Sequence, residues 1–106
     1  MHTPPGACLV VFLSRRTHAD DAGYAEMSER MVKGVAAQPG FLAMTSLRDG
    51  HTRDGITVAV FATEADARAW HAVPEHQEAQ EAGRDRWYEG YQVIVATVAR
   101  SYDWLA

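Results

Sequence analysis

Apolar and polar residues alternate along the chain with two different periods, which predict strands and helices. Four segments rich in β-branched and aromatic residues predict strands at 8–14, 41–49, 56–62 and 90–102. Apolar residues at every third or fourth position predict an amphipathic helix from about residue 18 to 37. A second helical region begins after Thr63, its predicted N-cap, breaks near Pro74 and continues to about Tyr88.

The resulting order, β-α-β-β-α-β, is that of a ferredoxin-like α+β fold with its helices on one face of an antiparallel sheet. Residues 1–7 are polar and proline-bearing, and they predict a flexible N-terminal arm. Residues 8–106 are predicted to form a single domain, because their length is usual for one domain and no repeat or linker divides them.

Three of the predicted strands lack the alternation expected of a sheet with one face in water. Their apolar residues are continuous at 9–13, 58–61 and 93–96. Both faces of the sheet therefore require burial, but the chain has helices for only one of them. We predict that a second copy of the sheet covers the other face, which makes the protein a twofold homodimer.

Charge and cysteine content exclude several classes of function. The formal net charge is −4 and no basic cluster is longer than Arg15-Arg16, which argues against nucleic acid or a membrane as partner. Cys8 is the single cysteine, so an intrachain disulfide and a cysteine-based zinc site cannot form. The apolar run at 7–13 is too short to span a bilayer, and its positive charges follow it, unlike those of a secretory signal. We expect a soluble, cytoplasmic protein.

Residues 70–91 concentrate large aromatic and polar side chains. On a helical projection one side of this stretch is acidic, and the other carries His76, Gln80, Gly83 and Trp87. The acidic side is expected to face solvent, so imidazole, amide and indole groups face the sheet where aliphatic residues are usual. Two interpretations follow. Either the polar groups bond the backbone and Trp87 is core, or these side chains line a ligand cavity between helix and sheet.

Other kinds of site find little support in the residue spacing. His71 and His76 are separated by Pro74, so they do not share a helical face, and no third metal ligand stands at a recognisable distance. The serines lack a nucleophile motif, Cys8 lies in an apolar run, and no glycine-rich phosphate loop is present. The sequence therefore predicts no metal site and no nucleotide.

The chain resembles the antibiotic biosynthesis monooxygenase (ABM) superfamily of dimeric α+β barrels. The resemblance rests on QPGF at 38–41, on VAVFATEADARAW at 58–70 and on PEHQEAQEAGRDRWYEGYQVIVATVARSY at 74–102. It implies the fold and the homodimer. Family members with known chemistry either oxidise polycyclic aromatic substrates with oxygen, using no metal or flavin cofactor, or degrade haem. Others are binding or stress-associated domains.

The haem-degrading branch matches this chain at one site residue of three. Trp70 aligns with the Trp of that branch, but its Asn position holds Ser14 and its His position holds Gln80. Haem requires an axial ligand, and His76 is displaced from the expected position by about one helical turn. The resemblance therefore favours oxygenation without a cofactor over haem degradation.

The expected reaction is the oxidation of an aromatic or quinol-like molecule, which must first be deprotonated. His76 is the candidate base or hydrogen-bond donor, since imidazole suits that role near neutral pH. The predicted substrate-binding residues are Trp70, Gln80, Trp87, Arg84, Tyr91 and Ser14. Arg84 would hold an anion or form a surface ion pair, and Tyr91 would flank the pocket mouth or the dimer seam. The alternative is a non-catalytic dimer that binds a small hydrophobic molecule.

Overall fold

The computed structural model describes residues 3–106. Within them the elements follow in the order β1 (Cys8–Arg16), α1 (Asp21–Ala36), β2 (Phe41–Arg48), β3 (Asp54–Phe61), α2 (Glu64–His71), α3 (Pro74–Ala82) and β4 (Tyr88–Thr97). A π-helical turn, Gly83–Trp87, joins α3 to β4. Residues 1 and 2 of the predicted N-terminal arm lie outside the described part of the chain.

The strands form one antiparallel sheet in the order β2-β3-β1-β4. Its two central strands, β1 and β3, are joined through α1 and the β2–β3 hairpin, which confirms the predicted ferredoxin-like fold. Cys8 pairs with Phe61 at one end of the sheet, and Arg15 pairs with Asp54 at the other. The helices lie on one face, which places the 70–91 stretch directly over β1 and its neighbours.

Side-chain caps fix the starts of α1 and α2. The Asp20 carboxylate accepts a hydrogen bond from the Gly23 backbone N–H (3.1 Å) at the start of α1. The predicted cap Thr63 accepts from the Asp66 backbone N–H (3.1 Å), and its hydroxyl donates to the Asp66 carboxylate (2.9 Å). Such caps satisfy backbone donors that no helical carbonyl can reach, so both helix starts are encoded locally.

The second helical region extends to Trp87, close to the predicted end, but it changes from an α-helix to a π-helix after Ala82. The α-helix stops at Ala82, and the next five residues form the π-helical turn before β4 begins at Tyr88. A Cβ at Gly83 would lie 2.8 Å from the Tyr88 ring, so only glycine allows this close approach. Gly83 therefore allows close packing of the helix end against Tyr88.

The last strand is shorter than predicted, because β4 ends at Thr97 rather than near residue 102. Its partner β1 begins at Cys8, and beyond this pair Val98 bonds only the backbone of Ala7 and Gly6. Gly6 has φ +86°, which turns the N-terminal segment away from the sheet edge. Without a neighbouring strand the later residues cannot continue the ladder.

The main core lies between the helices and the sheet. It contains Phe61, Val35 and Trp70, together with the small residues Cys8, Ala59 and Ala67. Gly34 lets α1 approach the Trp70 ring, since a Cβ there would lie 3.0 Å from it. Burial of such a set contributes most of the folding free energy of a small domain.

No helix among residues 3–106 is long and apolar enough to cross a bilayer.

The outer face of the sheet, opposite the helices, remains largely uncovered in the single chain. Leu47 is 75% exposed and its cross-strand neighbour Ile56 is 51% exposed. These two side chains line a groove of about 920 Å³ at the Arg15 end of the sheet. An apolar surface of this kind on a folded domain marks a contact with another molecule.

Candidate functional site

A cavity of about 540 Å³ lies between the helices and the sheet. Its aromatic and thioether lining comprises Phe12, Tyr24, Met27, Met31, Met44, Phe61, Trp70, Trp87, Tyr88 and Tyr91. The polar and charged side chains of the lining are Ser28, Ser46, Thr57, Glu64, Arg68, His71, His76 and Gln80. A concave apolar site with a small number of polar groups is the usual form of a small-molecule pocket.

The edge strand β4 forms one wall of the cavity. Tyr91, Val93 and Val95 line the cavity from this strand and remain between 37% and 54% exposed. Helix α2 packs on β1 and β3 and leaves this row of side chains on β4 accessible. The cavity therefore opens along β4.

His76 lies in the first turn of α3 and lines the cavity, with its ring centroid 4.6 Å from that of Trp70. The Gln80 side-chain amide lies one turn further along, with its nitrogen 3.1 Å from His76 Nε2. An amide N–H can only donate, so Nε2 accepts and the ring hydrogen is on Nδ1. Nδ1 is buried and has no hydrogen-bond partner among the described residues. Neither ring nitrogen of His76 is hydrogen-bonded to the backbone of residues 3–106, contrary to the interpretation of His76 as a packing residue.

Burial sets the protonation state of His76. It lowers the pKa of the imidazole to about 4, and the nearby His71 contributes to the same shift. A buried imidazole loses hydration that favours its charged form, which is why its pKa falls. His76 is therefore neutral at pH 7, with Nε2 as its proton-accepting atom.

The two indoles predicted as cavity walls occupy opposite ends of the site. Trp70 packs at the Cys8–Phe61 end of the sheet, within the main core. Trp87, 3% exposed, lies at the other end, where its Nε1–H donates to the Asp20 carboxylate (3.2 Å). Along β3 this end is marked by Thr57, which lies four residues, or about 13 Å, from Phe61. The cavity is thus elongated along the strands.

The remaining predicted site residues are placed differently. Tyr91 lines the cavity, and its hydroxyl accepts a hydrogen bond from the Arg84 guanidinium (3.1 Å). Arg84 itself is exposed and does not line the cavity. Ser14 is buried and contributes to the groove lining, but its side chain lies on the helix face of β1, where its hydroxyl accepts from Arg48 (2.8 Å). The structure thus groups His76, Gln80, Trp70, Trp87 and Tyr91, while Ser14 and Arg84 lie outside that group.

Sequence reasoning did not single out Tyr24, which lines the Trp87 end of the cavity from α1. The guanidinium of Arg16 lies 3.8 Å from the centroid of the Tyr24 ring, and Arg48 donates to the Tyr24 hydroxyl (3.3 Å). In the sequence Tyr24 is one of four apolar-face residues of α1. Nothing in the helical period separates it from the core methionines beside it. No group of three or more metal-ligating side chains is assembled among residues 3–106.

Comparison with known proteins identifies the family. The family model described as antibiotic biosynthesis monooxygenase, ABM, matches residues 9–82. The chain belongs to this family. It is 43% identical over 98 residues to YqjZ, an uncharacterized protein of Bacillus subtilis (strain 168), across 92% of this chain and 85% of YqjZ.

Solved structures similar to this ABM protein share its fold at low sequence identity. A mutant form of SnoaB, a cofactor-independent oxygenase of Streptomyces nogalater, superposes with TM-score 0.75 and 21% identity, over 91% of this chain and 96% of SnoaB. Rv0793 of Mycobacterium tuberculosis superposes with TM-score 0.79 and 7% identity, over 92% of this chain and 99% of Rv0793. At these identities the two similarities show the fold alone, so the chemistry must be argued from the residues of this chain.

Proposed function

We propose that this ABM protein is a monooxygenase that oxidises an aromatic or quinol-like small molecule with molecular oxygen and without a cofactor. The observation that carries the proposal is the 540 Å³ aromatic cavity with a neutral imidazole in its wall. The fold shared with SnoaB, a cofactor-independent oxygenase, supports the same reaction class. Fold alone does not determine activity, so the argument rests on the cavity.

In the proposed reaction His76 removes a proton from the bound substrate. The resulting carbanion gives one electron to oxygen, and the two radicals combine to form a carbon–oxygen bond. The peroxide anion takes the proton back from His76, and loss of water from the resulting hydroperoxide leaves a carbonyl, so the substrate supplies all the electrons that reduce oxygen. The cavity contributes the dry aromatic surroundings in which such an anion forms next to its base.

The hydrogen bonding of His76 determines which ring atom acts. Nδ1 is inaccessible, so only Nε2 can meet a ligand, and the Gln80 amide occupies it in this structure. The substrate therefore displaces the Gln80 N–H from Nε2, and the freed amide turns to the substrate. Trp70 and Trp87 enclose the ring system at either end. In this proposal Arg84 acts through the Tyr91 hydroxyl that it holds.

We also propose that the protein is a homodimer joined through the outer face of the sheet. The groove beside Leu47 and Ile56 and the exposed Ile94 provide an apolar surface on that face. A twofold pair of such sheets would cover both surfaces at once, as isologous contacts do. Of the charged groups that line the groove, Arg15 and Asp54 pair with each other (2.7 Å), while Asp49 and Glu89 add two further carboxylates that water must still reach in the dimer.

A second function has specific support in the state of His76. Burial makes the imidazole a weak base, and Gln80 occupies its accepting atom. Both features suit a cavity that binds a hydrophobic molecule without transforming it. In that case the protein is a non-catalytic binding module of the same fold.

Anthrone under labelled oxygen separates the two functions. Its CH₂ group loses a proton to give a carbanion conjugated with the carbonyl oxygen across the ring, as the proposed step requires. We expect protein-dependent oxygen uptake and incorporation of ¹⁸O from ¹⁸O₂ into the new carbonyl, measured by mass spectrometry against the uncatalysed reaction. Binding of anthrone with no uptake above that background would contradict the monooxygenase and support the binding module.

A further inference from the structure

The end of the cavity away from His76 contains a phenol hydroxyl with an arginine behind it. Tyr24 lines this end from α1, beside Trp87 and Tyr88. Arg48, at the end of β2, is not part of the lining and lies against the Tyr24 hydroxyl. On the sheet below, Ser46 and Thr57 share a hydrogen bond (2.7 Å), so polar groups cluster at this end.

Arg48 is held in place without a counter-ion. Its guanidinium donates to the Arg53 carbonyl (2.7 Å), to the Ser14 hydroxyl (2.8 Å) and to the Tyr24 hydroxyl (3.3 Å). Among residues 3–106, no carboxylate lies within salt-bridge distance of it, whereas Arg15, Arg16 and Arg53 each have one. The Asp54 carboxylate is near enough for Arg48 to help lower its pKa, but it is already paired with Arg15, so a half-buried guanidinium whose hydrogen-bond partners are all neutral favours further negative charge close to it.

The Arg48 contact determines what Tyr24 can offer a ligand. A guanidinium cannot accept a hydrogen bond, so the Tyr24 oxygen is the acceptor and its O–H remains available. The neighbouring Tyr88 hydroxyl shares a hydrogen bond with Tyr24 that raises the pKa of Tyr88, so Tyr88 donates to the Tyr24 oxygen and does not occupy the Tyr24 O–H. Donation from a cation polarises the phenol O–H and makes it a stronger donor.

We propose that Tyr24 binds the oxygen of a phenol-type ligand at this end of the cavity and that Arg48, fixed by Ser14, is its positioning residue. The inference rests on the proposed function, because it uses the same cavity. When a proton leaves a conjugated ring at the His76 end, the negative charge spreads to an oxygen at the far end. Tyr24 lines that end of the cavity, and Arg48 lies behind its hydroxyl. They stabilise the anion that a weak base must form.

This arrangement also explains Ser14, which does not line the cavity. Its hydroxyl holds the guanidinium nitrogen that donates to Tyr24. Ser14 therefore acts on the ligand through Arg48 and Tyr24, two contacts away. Tyr88 beside them stays protonated at neutral pH, because burial and the neighbouring Tyr24 both raise its pKa.

The test compares two probes that differ only in an oxygen, 2-naphthol and naphthalene, by equilibrium dialysis against the intact protein. We expect wild type to bind 2-naphthol about tenfold more tightly than naphthalene, the effect of one hydrogen bond to a polarised donor. Tyr24→Phe keeps the ring and removes the hydroxyl, so it should abolish this preference while naphthalene binding is unchanged. Tyr102→Phe, in the exposed C-terminal segment, is the matched control and should keep the preference.

Arg48 is tested by the same ratio, which a purely structural role would leave unchanged. Arg48→Met should reduce the 2-naphthol preference, and Arg48→Lys should restore part of it by returning a cationic donor. Equal binding of both probes to wild type, or an unchanged preference in Tyr24→Phe, would overturn this inference and leave the aromatic cavity standing. Failure of both probes to bind would overturn the proposed function together with the inference.

Discussion

The two faces of the sheet are both apolar, but they are apolar in different ways. On the helix face, aromatic and thioether side chains surround His76, Gln80 and Tyr24, and a cavity remains between them. On the outer face, aliphatic side chains such as Leu47 and Ile56 line an open groove whose charges lie at its margin. The first face contains a concave aromatic cavity, which we propose as a ligand site, and the second is an open apolar surface, which we propose as the dimer contact.

This difference shows how one sheet serves two purposes through the alternation of its strands. In β1, Val10 and Phe12 point into the cavity, whereas Leu13 and Arg15 lie on the groove side. A single continuous apolar run therefore supplies the site with one set of residues and the outer surface with the other. The predictions below separate the two faces, from the largest expected effect to the smallest.

Removal of the imidazole should have the largest effect on the helix face. For His76→Ala we expect anthrone oxidation to fall by about 10²–10⁴-fold, the usual contribution of a general base. Oxygen uptake and ¹⁸O incorporation measure it, with circular dichroism as a check on folding. His51→Ala, in the exposed β2–β3 turn, is the control. Undiminished turnover in His76→Ala would mean that another group takes the proton.

A charge placed on the outer face should break the proposed dimer. In Ile56→Asp a carboxylate would be buried without a partner between two sheets, at a cost of several kcal/mol for each copy. Light scattering after size exclusion should then report a monomer where wild type is a dimer. Ala25→Asp puts the same charge on the solvent side of α1 and should stay dimeric. A monomeric wild type, or a dimeric Ile56→Asp, would contradict the proposed interface.

The turn between α3 and β4 tests the packing under the helix face. Gly83→Ala should lower the free energy of unfolding by about 1–2 kcal/mol, since its Cβ would meet the Tyr88 ring at 2.8 Å. This loss must outweigh the gain in helix propensity from alanine. Gly90→Ala, where no atom lies within 4 Å of the added Cβ, is the matched control. Urea denaturation measures the free energy of unfolding of both variants. If Gly83→Ala is more stable than wild type, the Tyr88 ring moves aside freely.

The last expected effect, similar in size to that of Gly83→Ala, is on stability against pH. The pKa of His76 is about 4 in the folded protein and near 6.5 when the group is solvated. Between these values the unfolded chain binds more protons than the native one, so stability falls as pH decreases from about 6.5 towards 4. Wild type should therefore lose more Tm between pH 7.5 and pH 5 than His76→Gln, measured by thermal unfolding. Parallel losses would show that His76 is solvated in the native state.

Much of the fold was predictable because its signals are local. The period of α1, the Thr63 cap and the proline at the start of α3 each act within a few residues. The continuous apolar strands indicated that both sheet faces seek burial, and the outer face is indeed exposed in the single chain. The change from α-helix to π-helix at Gly83 was not predictable, because it depends on close contact with the Tyr88 ring. The end of β4 was misplaced, because it depends on where its partner strand β1 begins.

The candidate site divides in the same way. His76, Gln80 and Trp87 were predictable as a group, because one helical side carried polar groups where aliphatic residues are usual. The presence of a cavity in front of these side chains was not predictable, because its volume depends on how α1 packs across from α3. Tyr24 and Arg48 are 24 residues apart, and only the strand order brings the guanidinium to the phenol.

The sequence by itself determined the secondary structure, the apolar character of both sheet faces and the unusual chemistry of one helix side. These properties follow from side-chain type and spacing, which the chain carries along its length. Only the tertiary structure decided that a cavity of about 540 Å³ remains and that burial keeps His76 neutral. It also decided that Ser14 reaches the site only through Arg48. Volume, desolvation and contacts between distant segments depend on packing, which no local pattern encodes.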